Sequence, residues 1–211
     1  MTSRAWGFAV GCMLVVAMLA PAWADPPVEG TIRLREGQLL RGRFEQERYL
    51  EGFQTPLKSS GTFLLVPERG LVWRTELPFA ITTVIGPGGL MQEVRGRETT
   101  RIPAAKLPFM SKLYAMLSGT MTGDWSALAS TFKVVRTPEA KGWNLRLTPL
   151  EADDPNLPIR AIHARGFRLL AEIELVKPHG DRDRLVFLNQ KIETAQPAAQ
   201  EAALLAATDP K

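Results

Sequence analysis

Between Gly61 and Thr83 the chain reads GTFLLVPERGLVWRTELPFAITT. Three apolar runs are separated by a Pro67-Glu68-Arg69-Gly70 turn and by Pro78. Side chains alternate along an extended strand, so Phe63 and Leu65 share one face and Leu71 and Trp73 share one on the next strand. Phe79, Ile81 and Thr83 do the same on a third. Runs this short, joined by turns this short, dictate an antiparallel meander with one apolar face. Phe63-Leu64-Leu65-Val66 is apolar on both faces, so alternation leaves open which side points inward. The apolar face covers either the protein's own core or a foreign apolar ligand, and the pattern is compatible with both.

The same period recurs on both sides of this stretch. From Leu40 to Leu50, the residues Leu40, Phe44 and Leu50 face one way, with Gln46 among them. Arg41, Arg43, Glu45 and Glu47 face a solvated side. Gly86-Pro87-Gly88-Gly89 is a turn, and Leu90 to Val94 pairs back as a further strand. Glu93 to Pro108 reads as polar, basic and irregular. Phe109, Leu113, Met116 and Leu117 then recur at helical spacing, with Pro108 suited to the start and Gly119 to the stop. Asp124 is placed as the N-cap of a second short helix.

Strands return after that. Phe132 and Val134 alternate with Lys133, and Trp143, Leu145 and Leu147 alternate with Asn144, Arg146 and Thr148. Arg160 to Ala164 is a strand. Leu169, Ala171, Ile173 and Leu175 share a face opposite Glu172 and Glu174, and Leu185, Phe187 and Asn189 end the sheet. The reading is about nine or ten strands with two short helices inserted between the halves. An antiparallel sheet of that size curls or closes. The expected fold class is mainly β with α, with the mid-sequence helices as natural covers for the open mouth of the sheet. The Ala/Gln/Glu-rich tail, residues 195–211, has too few large apolar groups to dock firmly.

Domain organisation follows from the first 24 residues. Arg4, the apolar run Ala5 to Leu19 and Pro21-Ala22-Trp23-Ala24 have the layout of a cleaved signal peptide. A single domain, residues 25–211, is expected behind it, in the periplasm. The one cysteine, Cys12, lies within the signal. The mature chain then has neither a disulfide nor a thiolate metal site, and burial alone must hold it in an oxidising compartment.

Charged residues make up 23% of the chain and the net charge is +4, with basic and acidic groups interspersed. No Lys/Arg run forms a phosphate track, so nucleic acid is not an expected partner. There is no G-x-S-x-G and no paired-His motif. His163 reads as a structural or surface residue and His179 as part of a turn. The chain is therefore expected to be non-enzymatic, with no catalytic residue, no metal and no cofactor.

An ordered set of motifs makes the pattern specific. Phe44-x-Gln46 on the first strand is followed by Pro56-Leu57-Lys58-Ser59-Ser60-Gly61-Thr62-Phe63, Arg69-Gly70-Leu71-Val72-Trp73 and Pro78. A helix with Gly119 and Asp124 behind it, Trp143-x-Leu145-x-Leu147-x-Pro149 and Gly180-Asp181 complete the order. Between Leu40 and Gln190 the chain resembles the periplasmic outer-membrane lipoprotein carrier family, LolA, as a divergent member.

The resemblance implies an unclosed antiparallel β-barrel, a curved half-barrel sheet with a short helical lid. It also implies a carrier whose apolar interior takes acyl chains of lipoproteins, or of related lipids, from an inner-membrane transporter or exporter to an outer-membrane acceptor. In the family's pattern the tryptophan falls at Trp73, the residue two before it at Leu71, and the first-strand glutamine at Gln46. The family's lid-pinning arginine would stand at Pro67, and Arg69, two residues later on the same strand parity, is its candidate substitute. Gln46 and Arg69 are thus the expected polar groups of the lid and mouth.

The expected cavity wall is Phe44, Phe63, Leu65, Leu71, Trp73, Phe79 and Ile81, and the expected lid is Phe109, Leu113, Met116 and Leu117. Each buried methylene of an acyl chain is worth about 0.8 kcal/mol, so even part of such a chain binds strongly once it is out of water. A lid with two positions permits loading by one partner and unloading by another. The protein is expected to act as a monomer. A rival reading is a structural or protein-interaction accessory of an envelope lipid-export complex, with a filled core. A second rival is an anchored outer-membrane acceptor, which would need an acylated cysteine at its mature N-terminus.

Overall fold

The computed structural model describes residues 34–67, 69–106, 128–139, 142–151 and 159–209. The first meander contains β1 (Gln38–Tyr49), β2 (Leu57–Val66), β3 (Gly70–Leu77), β4 (Ile81–Gly86), β5 (Gly89–Val94) and β6 (Arg97–Pro103). The second contains β7 (Phe132–Glu139), β8 (Gly142–Pro149), β9 (Ala161–Gly166), β10 (Leu170–Val176) and β11 (Arg182–Thr194). One α-helix among the described residues, α1 (Ala199–Ala206), follows. The expected signal peptide and the expected lid helix, with Phe109, Leu113, Met116 and Leu117, lie outside the described residues.

All eleven strands form one sheet in the order β6-β5-β4-β3-β2-β1-β11-β10-β9-β8-β7. Every pairing is antiparallel. The two meanders are joined where β1 meets β11, the two longest strands, in a ladder from Gln38↔Thr194 to Tyr49↔Arg182. Strand twist accumulates across so wide a sheet and curls it. The order ends at β6 and β7, so the barrel is unclosed, as the family resemblance implied.

One hydrophobic cluster lines the concave side. It joins Leu40, Phe44, Phe63, Leu65 and Leu71 from the first meander to Phe132, Trp143, Leu145, Leu147, Ile162, Leu170, Ile173, Leu185 and Phe187 from the second. The clean alternation of Trp143, Leu145 and Leu147 is reproduced in their burial. A one-residue shift between Arg41 and Arg43 on β1 lies opposite Asn189, which takes the left-handed φ of 51°. The shift resets parity, so Phe187 before it and Ile192 after it both reach the concave cluster. A similar shift between Leu170 and Glu172 puts Leu170 in the core and Ala171 outside. The single face expected for Leu169, Ala171, Ile173 and Leu175 is corrected there.

A second cluster lies on the convex face of the first meander: Leu39, Leu64, Val72, Val84 and Met91, covered by Leu204 and Leu205 of α1. This answers the ambiguity of Phe63-Leu64-Leu65-Val66. Phe63 and Leu65 point into the hollow, while Leu64 and Val66 point outward beneath the helix. The undocked tail inferred from composition is corrected over 199–209. Leu205 is fully buried, Gly88 N–H donates to the Thr208 carbonyl at 2.7 Å, and Arg101 donates to the Ala207 carbonyl. Gly86 and Gly88 make room for this segment, since a Cβ on Gly86 would stand 2.3 Å from Thr208 Oγ1 and one on Gly88 2.6 Å from the Thr208 carbonyl oxygen. A few large side chains suffice because the sheet already presents an apolar bed, and each such side chain contributes about 1.5–3 kcal/mol on burial.

β6 is also a correction, because Glu93 to Pro108 was read as irregular. The turn before it places Arg95 at φ 53° and Gly96 at φ 74°, the left-handed pair that a tight hairpin requires. Ile102 then pairs with Leu90. Exposed Arg97, Glu98 and Thr99 make an edge strand with almost no apolar alternation to read.

Candidate functional site

The register builds the concave wall row by row, because directly paired residues point to the same face. One row runs Leu40, Leu65, Leu71, Ile85, Leu90 and Ile102 across β1 to β6, apolar throughout. The next runs Gly42, Phe63, Trp73, Thr83, Gln92 and Thr100, apolar on β2 and β3 and polar from β4 onward. Gln92 Nε2 donates to Thr83 Oγ1 at 3.2 Å in that polar part. The oily surface therefore belongs to β1, β2 and β3 together with β7 to β11, and it fades toward the β6 edge.

Four aromatic rings sit at its centre. Phe44 stacks on Trp73 with centroids 3.8 Å apart. Phe63 lies 6.2 Å from Trp73, and Phe187 meets Phe63 edge-on at 5.5 Å and Trp73 at 6.2 Å. Phe44, Phe63 and Phe187 are buried, whereas Trp73 is half-buried and packs against the cluster from its accessible side. Such offset and edge-to-face contacts each add about 0.5–1.5 kcal/mol beyond area burial.

Of the expected wall, the structure brings together Phe44, Phe63, Leu65, Leu71 and Trp73. Ile81 shares their face through its pairing with Thr75 but is half-buried and outside the cluster. Phe79 is corrected: it lies in the β3–β4 loop before β4 begins and is 70% exposed. Alternation was extrapolated through Pro78, where the strand ends and the chain turns. Gln46 and Arg69 do not form one polar mouth. Gln46 pairs with Ser59 near one end of β2, and Ser59 Oγ donates to its Oε1 at 3.3 Å. Arg69 occupies the β2–β3 turn at the opposite end, where its N–H donates to the Val66 carbonyl at 3.1 Å.

Sequence reasoning left out the wall's other half, notably Phe187, Leu145, Leu147, Ile162 and Ile173. Their alternation was visible. Their membership in the same wall was not, because it depends on β11 pairing with β1.

The charges stand on the convex face and at the strand ends. Asp183 is buried and is held by Lys177 Nζ at 2.5 Å and Arg48 Nε at 2.7 Å. Burial pushes its carboxyl pKa up, but Lys177 and Arg48 outweigh that and hold it below the ordinary aspartate value. Glu172 is held low by Arg184 and then by Arg165. Glu201 is pushed up by burial, but Arg41 and the Ala198 N–H bring it below the usual range. Two surface grooves, of about 400 and 390 Å³, lie on this convex side. Arg41, Arg43, Arg74 and Lys191 line the first, and Arg146, His163, Arg165 and Glu172 the second, so neither suits an acyl chain. Among the described residues no group of His, Cys, Asp and Glu is placed to hold a metal ion.

An open antiparallel sheet, oily within and charged without, defines an unclosed β half-barrel with an apolar concave face. The chain belongs to the outer membrane lipoprotein carrier protein LolA-like family, whose pattern it matches over residues 33–208. No curated protein matches it.

Several solved structures are similar to it. One is a chain of the Pseudomonas aeruginosa MucA/MucB complex, at 16% identity over 78% of this chain and 54% of that one, with a TM-score of 0.38. This chain thus spans about half of that chain's length. A LolA superfamily protein from Nitrosomonas europaea is 7% identical over 82% of this chain and 94% of that one, with a TM-score of 0.39. A putative outer membrane lipoprotein-sorting protein domain from Vibrio parahaemolyticus is 11% identical over 80% and 92%, with a TM-score of 0.37.

Proposed function

We propose that this chain is a non-enzymatic periplasmic carrier that takes an acyl chain, of a lipoprotein or a related lipid, against its concave face and moves it from the inner toward the outer membrane. The observation that supports this reading is the continuous apolar concave face, shared by both meanders, in a member of the LolA-like family. Trp73 is the accessible aromatic in that face, and the ligand's methylenes lie against it. An inner-membrane transporter or exporter loads the carrier, and an outer-membrane acceptor unloads it. The first 24 residues direct export, and the mature protein acts as a monomer.

The test is expression behind its own signal, gentle purification and native mass spectrometry with organic extraction. A co-purified acylated species is the expected result. Protein that emerges bare, and takes up no fluorescent fatty acid afterwards, sinks the carrier reading.

A second reading has its own observation. Phe44, Phe63, Trp73 and Phe187 already pack on one another at the centre of the face, which is how a filled core behaves. In that case the chain is an interaction accessory of an envelope lipid-export complex. The same extraction separates the two.

A further inference from the structure

Four of the exposed large apolar side chains gather at one end of the first meander, while the others, Val135, Leu150, Phe167 and Leu188, are spread along the second. Phe79 is 70% exposed, Phe53 68%, Leu77 64% and Leu57 56%. Phe53 lies in the β1–β2 loop, Leu57 opens β2, Leu77 closes β3, and Phe79 lies in the β3–β4 loop. In an antiparallel meander these loops leave the sheet at the same end, and Leu77 pairs with Ser60, three residues from Leu57. The β5–β6 turn leaves at that end too. Val94 pairs with both Ile81 and Arg97, which sets Arg95 and Arg97 beside the Phe79 loop.

Arg95 and Arg97 make no ion pair with any described residue, whereas nearby Glu76 and Glu98 are taken up by Arg43 and Arg101. Lys58, next to Leu57, pairs with Glu47 at 3.2 Å but keeps a 71% exposed side chain. Monomeric proteins rarely leave such a cluster bare without a use for it.

We propose that this end of the sheet docks on an anionic lipid bilayer, with Leu77 and Phe79 inserted at the headgroup boundary and Arg95, Arg97 and Lys58 against the lipid phosphates. The side chains protrude from loops and strand ends and do not line a groove, so they suit a deformable surface better than a preformed protein pocket. Arg95 and Arg97, which have no carboxylate partner among the described residues, flank protruding apolar groups and complement a negatively charged leaflet. The inference rests on the carrier reading for its purpose, since it would hold one end of the concave face against the lipid from which an acyl chain leaves. It does not rest on that reading for its test, because vesicle binding by cargo-free protein is measured separately from cargo extraction.

The experiment is flotation of the full mature chain with vesicles of phosphatidylglycerol and phosphatidylethanolamine, set against vesicles of phosphatidylcholine alone. Binding to the anionic vesicles is expected, with little to the neutral ones. The Leu77→Ser/Phe79→Ser double variant is expected to lose at least about tenfold in vesicle affinity. Arg95→Gln/Arg97→Gln is expected to lose about fivefold per arginine at low salt and less at high salt. All four positions are exposed, so melting temperatures should match the parent and a folding defect would show at once. The proposal is overturned by absence of binding to anionic vesicles, by equal binding to both compositions, or by a double apolar variant that floats like the parent. It is also overturned if these variants block transfer to a purified acceptor protein while the parent binds no vesicle, since the end of the sheet would then be a protein contact.

Discussion

Phe44 on β1 and Trp73 on β3 stack with ring centroids 3.8 Å apart and planes at 26°, although β2 runs between their strands. The residue of β2 opposite Phe44 is Gly61, whose other partner is Thr75 on β3. A Cβ built on Gly61 would fall 1.8 Å from the Arg74 carbonyl oxygen. A glycine at the centre of the meander thus allows the strands and rings to close over β2. Gly61→Ala should destabilise the protein by about 1–3 kcal/mol or more through forced overpacking. It should also change Trp73 fluorescence in the folded state. Urea denaturation followed by tryptophan emission checks both, and an unchanged midpoint would remove Gly61 from this role.

Leu71 and Trp73 lie on the same face of β3, yet they predict different outcomes. Leu71 is 1% exposed within the concave cluster, and Leu71→Ala should cost about 2–5 kcal/mol. Trp73 is half-buried, so Trp73→Ala should cost less stability while removing the aromatic surface proposed to meet an acyl chain. Paired measurement of denaturation midpoint and fluorescent fatty-acid uptake separates them. Uptake that survives Trp73→Ala unchanged places the ligand elsewhere.

Leu205 is buried among Leu39, Leu64, Val72, Val84 and Met91. Leu205→Ala should cost about 2–4 kcal/mol. Because α1 is held to the sheet mainly through Leu204 and Leu205, the change should also open residues 199–209 to protease before the sheet melts. Arg41→Leu should act in the same direction by removing the 3.0 Å pairs to Glu201 and Glu193, with a smaller effect because Arg41 is partly solvated. Limited proteolysis with mass mapping reads this directly. Cleavage spread over the whole sheet would contradict local undocking.

Asp183, Glu172 and Glu201 all have carboxyl pKa values held below their ordinary ones. A depressed carboxyl pKa means that the unfolded chain binds more protons near that value. These groups therefore stabilise the fold fully above the ordinary carboxylate range, and their contribution disappears as pH falls through the lower folded values. The melting temperature should be level near neutrality and drop below about pH 4. Asp183→Asn should lower the neutral-pH melting point and flatten the acid limb, since Lys177 and Arg48 lose their shared partner. Thermal melts from pH 3 to 7 test this; a parallel acid limb in the variant would exclude Asp183 as a contributor.

Much of the sheet was legible from alternation. Leu40-to-Phe44, Trp143-to-Leu147 and Leu185-to-Phe187 all carry a period of two, and each lies in a strand whose alternate apolar residues are buried, whereas Leu50 falls just past the end of β1 and is half-buried. A large antiparallel sheet followed from the number of such runs and the shortness of their turns, whereas its being unclosed was implied by the family resemblance alone. β6 escaped because an edge strand with solvent on most sides needs no apolar alternation, and only the Arg95-Gly96 turn signalled it. Phe79 was misplaced because a period carries no mark of where a strand stops.

The sequence by itself determined which residues alternate and where the chain turns, since both are set by neighbours a few positions away. Tertiary structure alone decided that β11 would lie beside β1, bringing Phe187 to Phe44. It alone turned Leu64 outward beneath Leu204 and Leu205 while Phe63 and Leu65 turned in. A strand's own period is the same whichever of its faces is covered. Which face meets a core depends on partners more than a hundred residues away in the chain, and their positions exist only once the sheet has curled.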